Sequence, residues 1–338
     1  MLAVRKQLRT IVLSTVALVT VFIAIFFYFT HQVVSEKLTL SDKTFFEIKN
    51  GMSFHQFSKE LVKKGVIKDR FWLRNYVRIY PSKASIKTGM YQFTPMQTVG
   101  DLLNIVNNGD EHQFFITFIE GTRLSDWLNT LISHPNIKQS LKNRDYATVA
   151  QALDIDEIHP EGLFFPDTYA FTNNTSDIVI LRRAYNRMQA SLEEVWRTRE
   201  PDLPLNNAYE ALILASIIEK ESADKSEYRL ISSVFVNRLN KNMRLQTDPT
   251  VIYGVGERYD GDIKRSHLRD KNAYNTYFIK GLPPTPIAMP GLEAMKAAVA
   301  PEISEYFYFV SDGNGRHVFN TNLKAHNESL KQYLLKTN

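Results

Sequence analysis

The chain has 338 residues, enough for a membrane anchor plus two or three small domains, and its 44% hydrophobic and 23% charged residues are ordinary for a globular protein. It contains no cysteine, which excludes disulfides and thiolate metal sites and leaves the redox compartment open. The formal charge of +5 does not make a nucleic-acid binder: Arg5, Lys6 and Arg9 cluster at the N-terminus, the other basic residues are interleaved with acidic ones, and "GVGERYDG" lacks the third glycine of a dinucleotide fingerprint.

From Thr10 to Ser35 there is no Lys, Arg, Asp or Glu, and Ile11 to Phe29 is nearly all apolar. At about 1.5 Å per residue this run crosses a hydrocarbon core of about 30 Å. "THQVVSEK" after Phe29 offers no small-x-small cleavage site, so the segment reads as an uncleaved signal anchor, and the cationic "RKQLR" before it favours a cytoplasmic N-terminus. The expected order is a cytoplasmic tail (1–9), a transmembrane anchor (10–34), a polar stalk (35–42), a small module (43–110) and a larger domain (111–338). The last two then lie outside the membrane.

In the small module, "FFEI" reads as a strand, Asn50-Gly51 as a turn, and Ser53 as the N-cap of an amphipathic helix. A second helix is expected around Arg70–Tyr80, and another is capped by Thr98 and stopped by Gly109. This strand–helix rhythm over residues 43–109 resembles a LysM-type module, and the resemblance implies binding to N-acetylglucosamine-containing glycans. The alternative is a plain α+β spacer. Further on, "QFFITFIEG" predicts a strand leading to a helix capped near Ser125. Long helices follow at Ile178–Arg199, Asn206–Ser222 and Glu227–Asn240. Two aromatic, β-branched runs around "SDGNGR", Tyr306–Val310 and His317–Thr321, predict a hairpin.

The stretch "LILASIIEKES" carries the chemical question. On a helical wheel Ile213, Leu214, Ile217 and Ile218 define an apolar arc with Glu221 near its centre, while Glu219 projects from the other side as a solvated carboxylate. A carboxyl on an apolar stripe is costly to ionise, so its pKa rises and it can hold a proton near neutral pH. The wheel alone leaves a plainer alternative open, in which Glu221 sits just past the buried part of the helix and pairs with Lys225 or Arg229.

"ASIIEKES", "SVFVNRL" (Ser233–Leu239), "MRLQTDPTVIYGVG" (Met243–Gly256), "AYNTY" (Ala273–Tyr277), "GLPPTPIAMPG" (Gly281–Gly291), "FNTNLKAHN" (Phe319–Asn327) and "EGLFFPDTYAF" (Glu161–Phe171) together resemble the endolytic murein transglycosylases, the YceG-like family. The resemblance implies an α+β chain: a transmembrane helix, the LysM-like module, and a mixed α/β catalytic domain with a helix-borne glutamate and a C-terminal β-hairpin. It implies lytic cleavage of peptidoglycan strands, with Glu221 as acid and then base, without cofactor or metal. Ser222 would help hold the catalytic helix, Tyr274 or Tyr277 would stack on a sugar, and Asn275 or Gln246 would bond an acetamido group. Asp248 either orients substrate or forms an Asx turn. Phe164, Phe165 and Tyr169 are assigned to the core. The implied partners are glycan strands, the inner membrane and penicillin-binding peptidoglycan synthases. Two other readings compete: a hydrolase pairing Glu221 with Asp248 or Glu161, and a non-catalytic, membrane-tethered glycan-binding scaffold.

Overall fold

The computed structural model describes residues 2–156 and 159–333. The chain divides into two compact units, residues 1–114 and 115–338.

The first unit opens with α1 (Leu2–Gln32), the one helix among the described residues that is long and apolar enough to cross a membrane. It starts well before Thr10, because Arg5, Lys6 and Arg9 are good helix formers and nothing between them and the apolar run breaks the pattern. Strand β1 (Thr44–Ile48) leads to α2 (Phe54–Lys63) and α3 (Phe71–Ile79). Strand β2 (Gly89–Phe93), antiparallel to β1, is followed by α4 (Val99–Asn108). Ser53 caps α2 in a capping box with Gln56, Thr98 caps α4 with Asp101, and Gly109 ends α4 at φ +80°, a conformation that side chains resist. Phe46, Phe57, Leu61, Tyr91, Phe93 and Leu102 form the core of this unit.

Residues 37–39, expected in a free stalk, are instead fastened to this unit. Leu38 N donates to Gln97 O at 2.9 Å, Thr39 N donates to Val66 O at 2.9 Å, and the Leu38 side chain is buried in the core. Leu38 is too apolar to stay in water, and its burial brings these amides beside the carbonyls of Gln97 and Val66, which satisfy them.

In the second unit, β3 (Phe114–Thr117) pairs with β5 (Thr168–Phe171), and the two-residue β4 (Ile137–Lys138) pairs in parallel with β6 (Thr175–Ser176). Between them lie α5 (Leu124–Ser133) and α6 (Tyr146–Leu153). Helix α5 starts one residue ahead of Ser125, because the Asp126 carboxylate accepts from Arg123 N at 2.9 Å and closes the first turn there. The helical core follows: α7 (Asp177–Arg197), α8 (Ala208–Glu221), α9 (Tyr228–Asn240), α10 (Asp248–Val255), the short α11 (Arg265–Arg269) and α12 (Leu292–Val299). Hairpin strands β7 (Tyr308–Ser311) and β8 (His317–Asn320) and helix α13 (Leu323–Tyr333) close the unit.

Helix α8 is its axle. It packs against α7, α9, α10 and α12, and every residue from Ala211 to Ile218 is buried. A two-sided wheel therefore misdescribes it, since there is no solvent face between Ala211 and Ile218. Each buried aliphatic side chain contributes about 1.5–3 kcal/mol, and truncating one such as Ile217 to alanine costs about 2–5 kcal/mol. The helix is consequently a rigid mount for whatever stands at its C-terminal end.

Candidate active site

Glu221 is the last residue of α8. The helix stops there because Ser222 adopts an extended backbone (φ −139°, ψ 145°) and its Oγ accepts from Asp224 N at 3.0 Å, a local turn that competes with a further helical turn. Glu221 opens on a cavity of about 510 Å³ whose walls come from the 245–248 loop and α10, the Tyr277 loop, the β7–β8 hairpin and α13. The Thr247 hydroxyl donates a short hydrogen bond to Glu221 Oε1.

Thr247 is itself held from behind. Its N–H donates to Thr276 Oγ1 at 3.0 Å, Thr276 Oγ1 lies 2.8 Å from Thr250 Oγ1, and Gln246 N donates to Thr276 O at 3.2 Å. "LQTDPT" and "AYNTY" are thus one structure, knitted through the buried Thr276. Arg238, on α9, braces the other side. Its Nε donates to Phe307 O at 2.6 Å, one terminal nitrogen donates to Leu245 O at 2.7 Å, and its guanidinium lies 5.0 Å from the Tyr308 ring centre. It ties the loop before Thr247 to the hairpin entry.

Burial pushes the Glu221 carboxyl up to about 7. The Thr247 hydrogen bond works against the rise, the nearby Asp248 charge adds to it, and Arg238 opposes it. A carboxyl so placed holds a proton near neutral pH and can release it without a large driving force.

Asp248 opens α10, and its Oδ1 accepts from the Tyr277 hydroxyl at 2.7 Å; both residues line the cavity, as does Gln246, whose backbone is left-handed (φ +49°). Tyr274 is elsewhere. Its hydroxyl lies 2.8 Å from Thr285 Oγ1 and its ring 4.9 Å from that of Tyr253. Asn275 has 0% exposure: Nδ2 donates to Asp270 O at 2.6 Å and to the His267 and Leu268 carbonyls, and Oδ1 accepts from Tyr277 N. It shapes the loop that carries Thr276 and Tyr277, and leaves no free group for an acetamido partner. Ser222 lies behind the helix end, 3.4 Å from Glu227 Oε2, outside the cavity lining.

Glu219 departs from the expectation of a solvated carboxylate. Its Oε2 accepts from Gly291 N at 2.9 Å and its Oε1 from the Tyr228 hydroxyl at 3.0 Å, and burial raises its pKa. The partners suggested for Glu221 are also engaged differently, since Lys225 pairs with Glu120 and Arg229 Nε donates to Ala300 O at 2.9 Å.

Glu161 is fully buried and accepts from Leu124 N at 2.8 Å, the Tyr146 hydroxyl at 2.7 Å and the Tyr253 hydroxyl at 3.3 Å, away from the cavity lining. Gly162 beside it sits at φ +81° against Pro286, where a Cβ would collide with the ring. Phe164, Phe165 and Tyr169 are buried in the core. No cluster of three or more His, Asp or Glu side chains able to hold a metal occurs among the described residues. Thr247, Thr276 and Arg238 escaped the sequence reading, although all three lie inside the quoted strings. The signal that would find them is a polar side chain in a stretch that has to pack against α8.

Residues 46–332 match the model of the YceG-like family. A curated relative from Bacillus subtilis (strain 168), an endolytic murein transglycosylase, is 30% identical over 308 residues, covering 86% of this chain and 85% of the relative. A second, with the same name, from Streptococcus pneumoniae serotype 2 is 26% identical over 85% of this chain, which spans 58% of that longer relative. The 2.6 Å crystal structure of a YceG-like protein from Listeria monocytogenes matches with a TM-score of 0.54 at 28% identity, over 85% of this chain and 99% of that one.

Proposed function

Because the chain belongs to the YceG-like family, we propose that it is a membrane-anchored lytic murein transglycosylase that cuts peptidoglycan strands between N-acetylmuramic acid and N-acetylglucosamine, with Glu221 as acid and then base. The observation that carries the reading is a proton-holding carboxyl at the end of a rigid buried helix, opening on a cavity of about 510 Å³. The relatives named endolytic murein transglycosylases support it.

In the reaction, protonated Glu221 gives its proton to the bridging oxygen as the bond from that oxygen to muramic C1 breaks. The positive charge that develops at C1 faces the Asp248 carboxylate and the new Glu221 carboxylate. Glu221 then takes the proton of the C6 hydroxyl of the same sugar while its oxygen bonds to C1. One C–O bond breaks and one forms, the leaving oxygen gains a proton and the C6 hydroxyl loses one, Glu221 ends protonated as it began, and no water is consumed. Thr247 keeps the carboxyl pointed at the cavity, and Tyr277 and Gln246 offer polar groups to the sugar.

Asp248 shares the cavity with Glu221, which also suits a two-carboxylate hydrolase. Mass analysis of products from the purified full-length chain separates the two: anhydro ends are one water lighter than reducing ends. Reducing ends alone would replace the lytic reading with the hydrolytic one.

Helix α1 serves as a single-pass anchor with the cationic end in the cytoplasm and the residues that follow it on the outer side of the membrane. In the first unit a concavity of about 620 Å³, lined by Phe46, Asn50, Gln56 and Lys64 among others, supports the LysM-like, glycan-holding role. Cutting strands near the membrane in this way would end glycan elongation beside the penicillin-binding synthases. A reporter fused after Asn338 that is active in the cytoplasm would overturn the orientation.

A further inference from the structure

The Glu221 cavity is lined by two chemically different groups of residues. One holds the carboxylates Glu221 and Asp248 with hydroxyl and amide neighbours. The other, from the hairpin and α13, combines the rings of Tyr308 and Phe309 with the branched aliphatic side chains of Val310, Leu323 and Leu330, the imidazoles of His317 and His326 and the amide of Asn327. Branched aliphatic groups set beside imidazoles and an amide suit a ligand with methyl groups, carbonyls and carboxylates.

Both imidazoles are held in place. His317 Nδ1 is bonded to Glu227 Oε2 at 2.8 Å, while its own backbone N donates to Glu227 Oε1 at 3.0 Å. The carboxylate fixes the ring's orientation and leaves Nε2 as its remaining polar atom. Glu227 also reaches Ser222, next to Glu221, so the hairpin end of the cavity is tied to the catalytic helix. His326 stacks on Tyr308 (centroids 5.2 Å apart, planes at 26°), and its Nδ1 has no hydrogen-bond partner among the described residues. The nearest fixed cation, Arg238, lies over the same Tyr308 ring and adds positive potential to this end.

We propose that the hairpin–α13 end of the cavity is a subsite for the peptide arm of the muramic acid being cleaved, with His317 and His326 as its specificity residues. The inference rests on the lytic reading above and deepens it. The chemistry of that reading requires such an arm: the sugar whose C1 meets Glu221 carries a lactyl ether at C3, and any peptide on it begins with methyl-bearing units and continues into carboxylates. The arm leaves the reacting ring sideways, so it must be accommodated close to Glu221. Val310, Leu323 and Leu330 receive its methyl groups, and the imidazoles and Asn327 meet its carbonyl and carboxylate oxygens.

The test uses the full-length chain and one preparation of uncrosslinked glycan strands, half of it stripped by an amidase to leave free lactyl carboxylates. The wild type should cut peptide-bearing strands with the higher kcat/KM. His326→Phe, which keeps the ring stack on Tyr308, and His317→Gln should each lower the ratio of the two kcat/KM values roughly tenfold, the worth of one hydrogen bond to a charged or strongly polar group. The ratio is internal to each preparation, so partial unfolding of a variant does not move it. Should His317→Gln not fold, His326→Phe carries the test. Equal cleavage of both substrates by the wild type, or a wild-type ratio in the variants, overturns the subsite and leaves the lytic reading standing. No cleavage of either substrate by the wild type would remove both.

Discussion

Of the carboxyls in the second unit that burial raises above the ordinary range, Glu161 and Glu221 sit in opposite kinds of surroundings. Glu161 has 0% exposure and three donors, one backbone amide and two tyrosine hydroxyls. Glu221 has one hydroxyl donor, keeps part of its side chain open, and faces a cavity of about 510 Å³. Desolvation is the leading cause of the upward shift in both. The shift therefore does not distinguish a reactive carboxyl from a structural one. What distinguishes them is unfilled hydrogen-bonding capacity with room in front of it: Glu161 joins α5, α6 and α10, while Glu221 has an oxygen to offer a substrate.

The sharpest way to break this contrast is to remove the titratable proton at each place. Glu221→Gln keeps size and polarity, and cleavage of uncrosslinked strands should fall by about 10²–10⁴-fold while the melting temperature stays near the wild-type value. Glu161→Gln should show the reverse pattern. A Gln amide keeps one acceptor oxygen but turns its NH2 toward the donors on the other side, so about 1–3 kcal/mol of stability is lost, read by denaturant or thermal unfolding, with cleavage per folded molecule retained. If the two variants exchanged these effects, the assignment would be wrong.

A smaller effect is expected at Glu219. It is linked to Gly291 N and the Tyr228 hydroxyl on the flank of α8 away from the cavity lining, so Glu219→Gln should cost about 1 kcal/mol and leave kcat near wild type. A loss of activity comparable to that of Glu221→Gln would mean that the Glu219 flank shares in the chemistry.

The contrast also shows what a sequence can carry. Features set by a few neighbouring residues were readable: the Ser53 and Thr98 caps, the Gly109 stop, the hairpin around "SDGNGR", and the long apolar run of α1. Glu221 was picked out by its place on an apolar stripe and by resemblance. The surroundings of each carboxyl were not readable, because they are assembled from distant segments. Thr247 reaches Glu221 from 26 residues away, and Glu161 gathers donors from positions 124, 146 and 253. Glu219 defeats the wheel because a wheel assigns one helix face to solvent, whereas α8 is enclosed by four helices. Of Asn275 and Gln246, the two candidates for an acetamido partner, only Gln246 lines the cavity, because a motif names a residue without saying where its amide points.

The most direct measurement is the pH dependence of kcat/KM for strand cleavage by the wild type, Thr247→Val and Asp248→Asn. If Glu221 must hold a proton to begin the reaction, the rate falls as pH rises through its folded-state value of about 7. Thr247 stabilises the ionised form, so removing its hydroxyl raises the pKa and moves the alkaline limb to higher pH. The Asp248 charge disfavours the ionised form, so neutralising it lowers the pKa and moves the limb to lower pH. Opposite displacements of the same limb are the predicted result. An alkaline limb that stays in place in both variants, or a profile with no such limb around neutrality, would contradict the assignment of Glu221 as the proton donor.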